Sequence, residues 1–138
     1  MTSEKEMSAY TVGELRPLNT TIQIADYSPD WPTLFECEAQ RIRTALGNNI
    51  VQLEHVGSTS VPTLAAKPCI DIVLSVRDSS DELSYVPLLE SAGYSLRIRE
   101  PNWHEHRMFK GGDVDVNLHV FSAGCSEIAR MTAFRDWL

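Results

Sequence analysis

The sequence of 138 residues predicts an α/β (α+β) fold, a single compact domain in which a mixed sheet is flanked by helices. Three observations predict it. Helix and strand periodicities alternate through the earlier part of the chain. A two-glycine hairpin pattern, Gly111-Gly112 between two strand-like runs, closes the later part. One strand, Cys69 to Val76, is nearly all apolar, as expected of a strand covered on both faces.

The elements follow in order. Residues 1–20 are polar, mixed in charge and without a sustained period, so a flexible N-terminal extension is expected there and the domain itself over 21–138. Thr21 to Ala25 predicts a short strand. Ser28-Pro29 is a helix start, with Pro suited to the first helical turn. Trp31, Leu34, Phe35, Ala39, Ile42, Ala45 and Leu46 then recur at three- and four-residue steps, up to a stop at Gly47. Glu36, Glu38, Arg41 and Arg43 lie off that stripe and are expected on a solvated face. Val51 to Val56 is a strand of imperfect alternation, ended by Gly57-Ser58-Thr59-Ser60. A helix is expected from Leu83 to Ala92, with Pro87 bending it or marking its true start. Strands follow at Tyr94–Ile98, His106–Lys110 and Val114–Phe121, and Ser126 starts a last helix whose Met131, Phe134, Trp137 and Leu138 share one apolar stripe. That stripe predicts a homodimer.

Composition narrows the function. A hydrophobic share of 43% and charged share of 22% are those of an ordinary folded domain. The net charge of −7 argues against non-specific nucleic-acid binding, which needs a basic face. No run approaches the roughly 18 apolar residues of a membrane helix, so no membrane partner is expected. Three widely spaced cysteines without a C-x-x-C pair suit a reducing cytoplasm better than a disulfide framework or a zinc knuckle.

The candidate chemistry centres on Asp71, the one acid inside an apolar strand. Desolvating a carboxylate there is costly unless a metal, a cation or hydrogen-bond donors meet it. Gly57, Ser58 and Thr59 can offer backbone N–H groups and hydroxyls to a phosphate, or simply end a strand. Lys67 can aim at the same anion, or pair with Asp71 or Glu54. In the strand DVDVNLHVF, Asp113, Asp115, Asn117 and His119 alternate with apolar residues. If that polar row meets Asp71, the set either binds one hard cation weakly or works as an acid/base pair of Asp71 and His119; otherwise the row is a solvent-facing side. His55 before the turn either contacts substrate or supports the turn. Arg107 is a candidate bidentate clamp on phosphate or carboxylate, its alternative being an ion pair with Asp71 or Asp115. His104 and His106 lack a clear third ligand for zinc. The cysteines read as core or loop residues rather than nucleophiles.

Residues 55–72, HVGSTSVPTLAAKPCIDI, closely resemble the signature of the GrpB-like family, whose members look like small relatives of the polymerase-β-type nucleotidyltransferase fold. Tyr27, Pro29, Trp31 and Phe35, then Arg107 and Leu118-His119-Val120, extend the resemblance, which runs from Ile22 to the end of the chain. Arg135-Asp136 also resembles the family pattern. The resemblance implies a nucleotidyltransferase-like fold and a pocket binding a nucleotide or phosphorylated metabolite. It implies Gly57 and Ser58 positioning phosphates, with His55, Thr59, Lys67 and Arg107 also binding substrate. Asp71 is then the Mg²⁺ ligand and, with His119, catalytic in transfer of a nucleotidyl group. Homologous domains fused to a coenzyme A biosynthesis kinase fit phosphorylated metabolites, and family members generally continue through more helix. One departure stands out: the wider superfamily has an acid-x-acid pair, and here the second position is Val73. The alternative is therefore a non-catalytic nucleotide- or protein-binding module with a degraded metal site.

Overall fold

The sheet order explains how the chain assembles its site. In the computed structural model, which describes residues 24–112 and 114–137, five strands lie in the order β1-β2-β5-β4-β3. They are β1 (Gln52–Val56), β2 (Ile70–Val76), β3 (Tyr94–Glu100), β4 (His106–Gly111) and β5 (Val116–Ser122). The central pair β2 and β5 is parallel, and all other neighbours are antiparallel. The helices are α1 (Asp30–Leu46), α2 (Val86–Ser91) and α3 (Ser126–Trp137). The expected extension over residues 1–20 and the opening of the expected strand at Thr21 lie outside the described residues. What is described of that strand is one bridge, Ala25 to Ala66, closed by two backbone hydrogen bonds of 2.8 Å.

Side chains alternate along each strand, so every strand divides its residues between two layers. One face takes Ile70, Ile72, Leu74 and Val76 of β2 and Val116, Leu118 and Val120 of β5. They pack with Trp31, Phe35, Ala39 and Ile42 of α1 and Val86 and Leu89 of α2. That layer is the main core. The opposite face is covered less completely. There Val56, Val73 and Phe121 meet Ile128 of α3, with Met131 alongside. The remainder of this second face is polar, and it carries the candidate site.

Two expectations need correction. Glu38 is not on a solvated face: it is 2% exposed and accepts a hydrogen bond of 2.7 Å from the Tyr94 hydroxyl. It sits one step before Ala39 on the buried side of α1, and its carboxylate abuts Gly112, where φ is +82° and any Cβ would collide with it. A buried acid tied to a phenol at the hairpin turn explains that glycine. The helix predicted from Leu83 is shorter than expected. A 3₁₀ turn (Glu82–Ser84) precedes it, and α2 opens at Val86 with Pro87 in its first turn, because Pro there lacks only an N–H that would be unpaired anyway.

Candidate functional site

Asp71 begins the polar row of the second face. It pairs in register with Val56 on one side and Asn117 on the other, and Asn117 Nδ2 donates to its Oδ1 at 3.1 Å. His119 lies one pleat further along β5, with Nε2 3.9 Å from the same oxygen. The two residues that interrupt apolar strand patterns thus share one face. Asp115 and Lys110 close the row at its outer end: Lys110 Nζ donates to Asp115 Oδ1 at 2.6 Å and to Asn117 Oδ1 at 2.7 Å. Asp113 lies outside the described residues.

Gly57 faces this row. Its φ of +73° is open to glycine and strained for other residues, and an added Cβ would stand 2.6 Å from Asp71 Oδ2. The missing side chain lets the strand-ending turn and the carboxylate share a wall. Gly57, Asp71 and His119 line a cavity of about 130 Å³ with Val56, Arg130, Met131 and Phe134. Taking roughly 30 Å³ for a water molecule, the space suits a phosphate-sized group and not a whole nucleotide. A larger open depression lies between α1 and α2, on the other side of the sheet, lined by Cys37, Arg41 and Leu88 among others.

The other predicted site residues do not line this cavity. Ser58 and Lys67 are exposed beside it in sequence. Thr59 is buried and donates to the Cys69 carbonyl at 2.9 Å, so its oxygen accepts from His55 Nε2 at 3.0 Å. His55 stacks on Phe35, ring centroids 4.9 Å apart, on the α1 side of the sheet. Burial holds its pKa down at about 4, against the opposing pull of Asp71 and helped by Arg135. His55 and Thr59 therefore staple the Gly-Ser turn to the start of β2. Arg107 is on the α1 side too. Its guanidinium reaches neither Asp71 nor Asp115: Nε donates to Glu82 at 2.9 Å and Nη1 to Glu105 at 2.7 Å, with the side chain 5% exposed. The strand parity decides this, since Arg107 pairs with Val120 and shares its face. Cys69 has its thiol pushed up to about 12, chiefly by burial and then by Asp71 and Asp115, which suits a core residue.

Two further residues join the row: Glu100, which the sequence did not single out, and His106, read there only beside His104 as a zinc candidate without a third ligand. The β3–β4 hairpin pairs Glu100 with His106, and both are buried. His106 Nδ1 is 2.8 Å from Glu100 Oε1, and its Nε2 is 3.0 Å from His119 Nδ1. Burial, then the charges of His119, Arg107 and His104, hold the His106 pKa down at about 3. Burial raises Glu100, with the charge of His119 opposing. The signal in the sequence was symmetry: Glu100 and His106 stand equally far from Trp103 at the hairpin tip.

A metal can be tested against these donors. The two-metal arrangement of the wider superfamily does not fit, because Val73 is 1% exposed within the α3 cluster. Nor do three His, Cys, Asp or Glu side chains converge among the described residues. Asp71 alone fits a single Mg²⁺ completed by ligand oxygens and water.

A five-stranded mixed sheet with helices on both faces defines an α+β domain, with a Gly-Ser turn set against a single strand aspartate. The comparisons are more definite. The chain belongs to the GrpB family: the model for GrpB protein matches residues 21–138. A UPF0157 protein of Halalkalibacterium halodurans is 62% identical over 136 residues, covering 99% of this chain and 70% of that protein. The crystal structure of conserved protein GrpB from Enterococcus faecalis is similar with a TM-score of 0.74 and 34% identity, over 84% of this chain and 72% of that one. A dephospho-CoA kinase of Mycolicibacterium paratuberculosis is 37% identical over 78 residues, which are 53% of this chain and 19% of the kinase.

Proposed function

We propose that the cavity between Gly57, Asp71 and His119 binds a phosphate group of a nucleotide or phosphorylated metabolite, and that the site transfers a nucleotidyl group. The observation that carries this reading is the meeting of Asp71 and His119 across one small cavity closed by a side-chain-free Gly57. The partial similarity to dephospho-CoA kinases supports a ligand of that class. Mg²⁺ held by Asp71 would offset the charge of the phosphate, which otherwise faces a carboxylate. Arg130 of α3 also lines the cavity, with its guanidinium paired to Glu127 at 2.6 Å. In such a transfer the attacking hydroxyl would bond to the α-phosphorus of a nucleoside triphosphate as the α–β anhydride breaks and pyrophosphate leaves, with His119 taking the hydroxyl proton. Val73 favours a second reading, a module that binds a nucleotide or another protein without turnover.

A thermal-shift screen of nucleotides and phosphorylated metabolites separates them. Ligand at 100 times its Kd stabilises by about 2.7 kcal/mol, and the leading reading expects that gain to grow with Mg²⁺. Asp71→Asn should keep the fold, since Asn can still accept from Asn117, and should abolish the Mg²⁺ increment. Gly57→Ala, which displaces the same carboxylate, should do likewise at some cost in stability. Binding indifferent to Mg²⁺ would select the non-catalytic module, and no binding by any probe refutes both small-molecule readings.

The setting proposed is the cytoplasm, supported by three free cysteines; no helix among the described residues is long and apolar enough to cross a membrane. The proposed protein partner is a second copy of the chain. Phe134 and Trp137 stack at 6.3 Å on α3, and Trp137 is 80% exposed, so the stripe is only partly docked on its own sheet. Trp137→Asp should convert a self-associating species into a monomer in sedimentation; a parent that is already monomeric at high concentration contradicts the pairing.

A further inference from the structure

The second face of the sheet holds a continuous row, Glu100–His106–His119, that ends at the cavity. Glu100 and His106 are 7% and 5% exposed, while His119 is partly open. No ligand can reach the first two, so any effect they have on the site passes through His119.

The hydrogen bonds fix the direction of that effect. Burial keeps His106 neutral, leaving it one N–H and one lone pair. With Glu100 ionised, its carboxylate only accepts, and the His106 proton then sits on Nδ1, facing Glu100 at 2.8 Å. His106 Nε2 is then a lone pair, and it must accept from His119 Nδ1–H at 3.0 Å. The two rings lie nearly parallel, 25° between planes, and Phe121 flanks His106 with centroids 4.9 Å apart. That packing holds the inner ring in register with its partners. A neutral His119 with its proton on Nδ1 shows a bare Nε2 to the cavity, 3.9 Å from Asp71 Oδ1.

We propose that Glu100 and His106 are positioning residues, which hold His119 in the Nδ1–H tautomer so that its Nε2 lone pair faces the cavity. The row is thereby a one-way arrangement: the buried acid sets the first imidazole, which sets the second. A ligand group that reaches Nε2 meets an acceptor, as a hydroxyl about to lose its proton requires. An ionised phosphate oxygen at that point would face another lone pair, so the phosphate belongs on the Asp71 side of the cavity, where a cation can intervene. The inference rests on reading this cavity as the binding site.

Nitrogen-15 NMR of the imidazoles, on the ligand-free full chain at neutral pH, reads the tautomers directly. The unmodified protein is expected to show His119 as Nδ1–H and His106 as Nδ1–H. His106→Phe removes the acceptor, and His119 should shift to Nε2–H, the form free histidine prefers. Glu100→Gln supplies an amide that can donate as well as accept, so mixed tautomers are expected at both rings. His119 found as Nε2–H in the unmodified protein overturns the proposal, as does Nδ1–H persisting in His106→Phe. Should His106→Phe fail to fold, the unmodified protein still decides. Because no ligand is added, these outcomes are independent of the thermal-shift result: loss of binding activity leaves the tautomers standing, and a wrong tautomer leaves binding standing.

Discussion

Arg107→Ala is expected to cost about 3 kcal/mol of folding stability, the lower part of the range for breaking a buried ion pair. The folded fraction should bind ligand as the unmodified protein does. The guanidinium is 5% exposed and joins two carboxylates, Glu82 and Glu105. Glu82 keeps a second partner, since Arg99 Nε and Nη2 donate to it at 2.6 and 2.8 Å. Glu105, at 42% exposed, can turn to water once Arg107 is gone. Those two reliefs place the cost at the low end. The residual cost comes from the emptied space and from the acid left half-buried beside Tyr85. A melting temperature lower by about 10 °C corresponds to such a loss in a domain of this size. Arg107→Lys keeps the charge and loses the fork, and should fall between the two. A stable Arg107→Ala protein that has lost phosphate binding would return Arg107 to the site.

This arginine also shows where a sequence stops informing on a site. Its identity suggested a clamp on an anion, and it does clamp carboxylates. Which anion it meets depends on strand parity across the β4–β5 pair, where Arg107 pairs with Val120. Periodicity placed α1, β1, β2 and α3 nearly to the residue, because α1 and β1 end at clear stop signals, β2 is a continuous apolar run and α3 has Ser126 as its start signal. Glu38 went astray for the opposite reason: a charged residue on the buried stripe of α1 reads as surface until Tyr94 is seen to hold it. The parallel pairing of β2 with β5 brought Asp71 and His119 together, and both were legible as polar breaks in apolar strands. Glu100 was not, and His106 drew notice only as a zinc candidate beside His104, since neither breaks an apolar pattern and their joint meaning comes from pairing across the Trp103 turn. Lys67 and Ser58 were legible as residue types suited to phosphate, yet the chain leaves them outside the cavity wall.

The second large effect expected is acid instability well above the carboxylate range. His55 and His106 are held in the neutral form when folded, down to about pH 4 and about pH 3, chiefly by burial. Unfolded, each binds its proton with the ordinary histidine pKa of 6.5. As pH falls below 6.5 the unfolded chain takes up protons that the folded chain refuses, and the equilibrium moves toward unfolding. Stability from these groups is therefore complete above 6.5 and declines toward pH 4, where His55 begins to titrate in the folded state and His106 has not. From His106 alone the loss by pH 4 is on the order of 3 kcal/mol, at ~1.4 kcal/mol per pH unit, and His55 adds nearly as much, falling behind only as it titrates in the folded state near pH 4. Two acids modify the lower end. Glu82, held low mainly by its bond from Arg99, loses its contribution only below its ordinary value of 4.5. Glu100, raised by burial, has the opposite sign and relieves some strain as it protonates. Glu82 does not act between pH 6.5 and 5.5, and Glu100 can only oppose the trend there, so a midpoint that falls across that window comes from the histidines. Urea denaturation across it should show the midpoint falling with pH, and His106→Gln should flatten the slope by about half, since His55 contributes equally there. A midpoint constant from pH 6.5 to 4.5 would mean that His106 is protonated in the folded protein, and with that the neutral relay behind His119 would be gone.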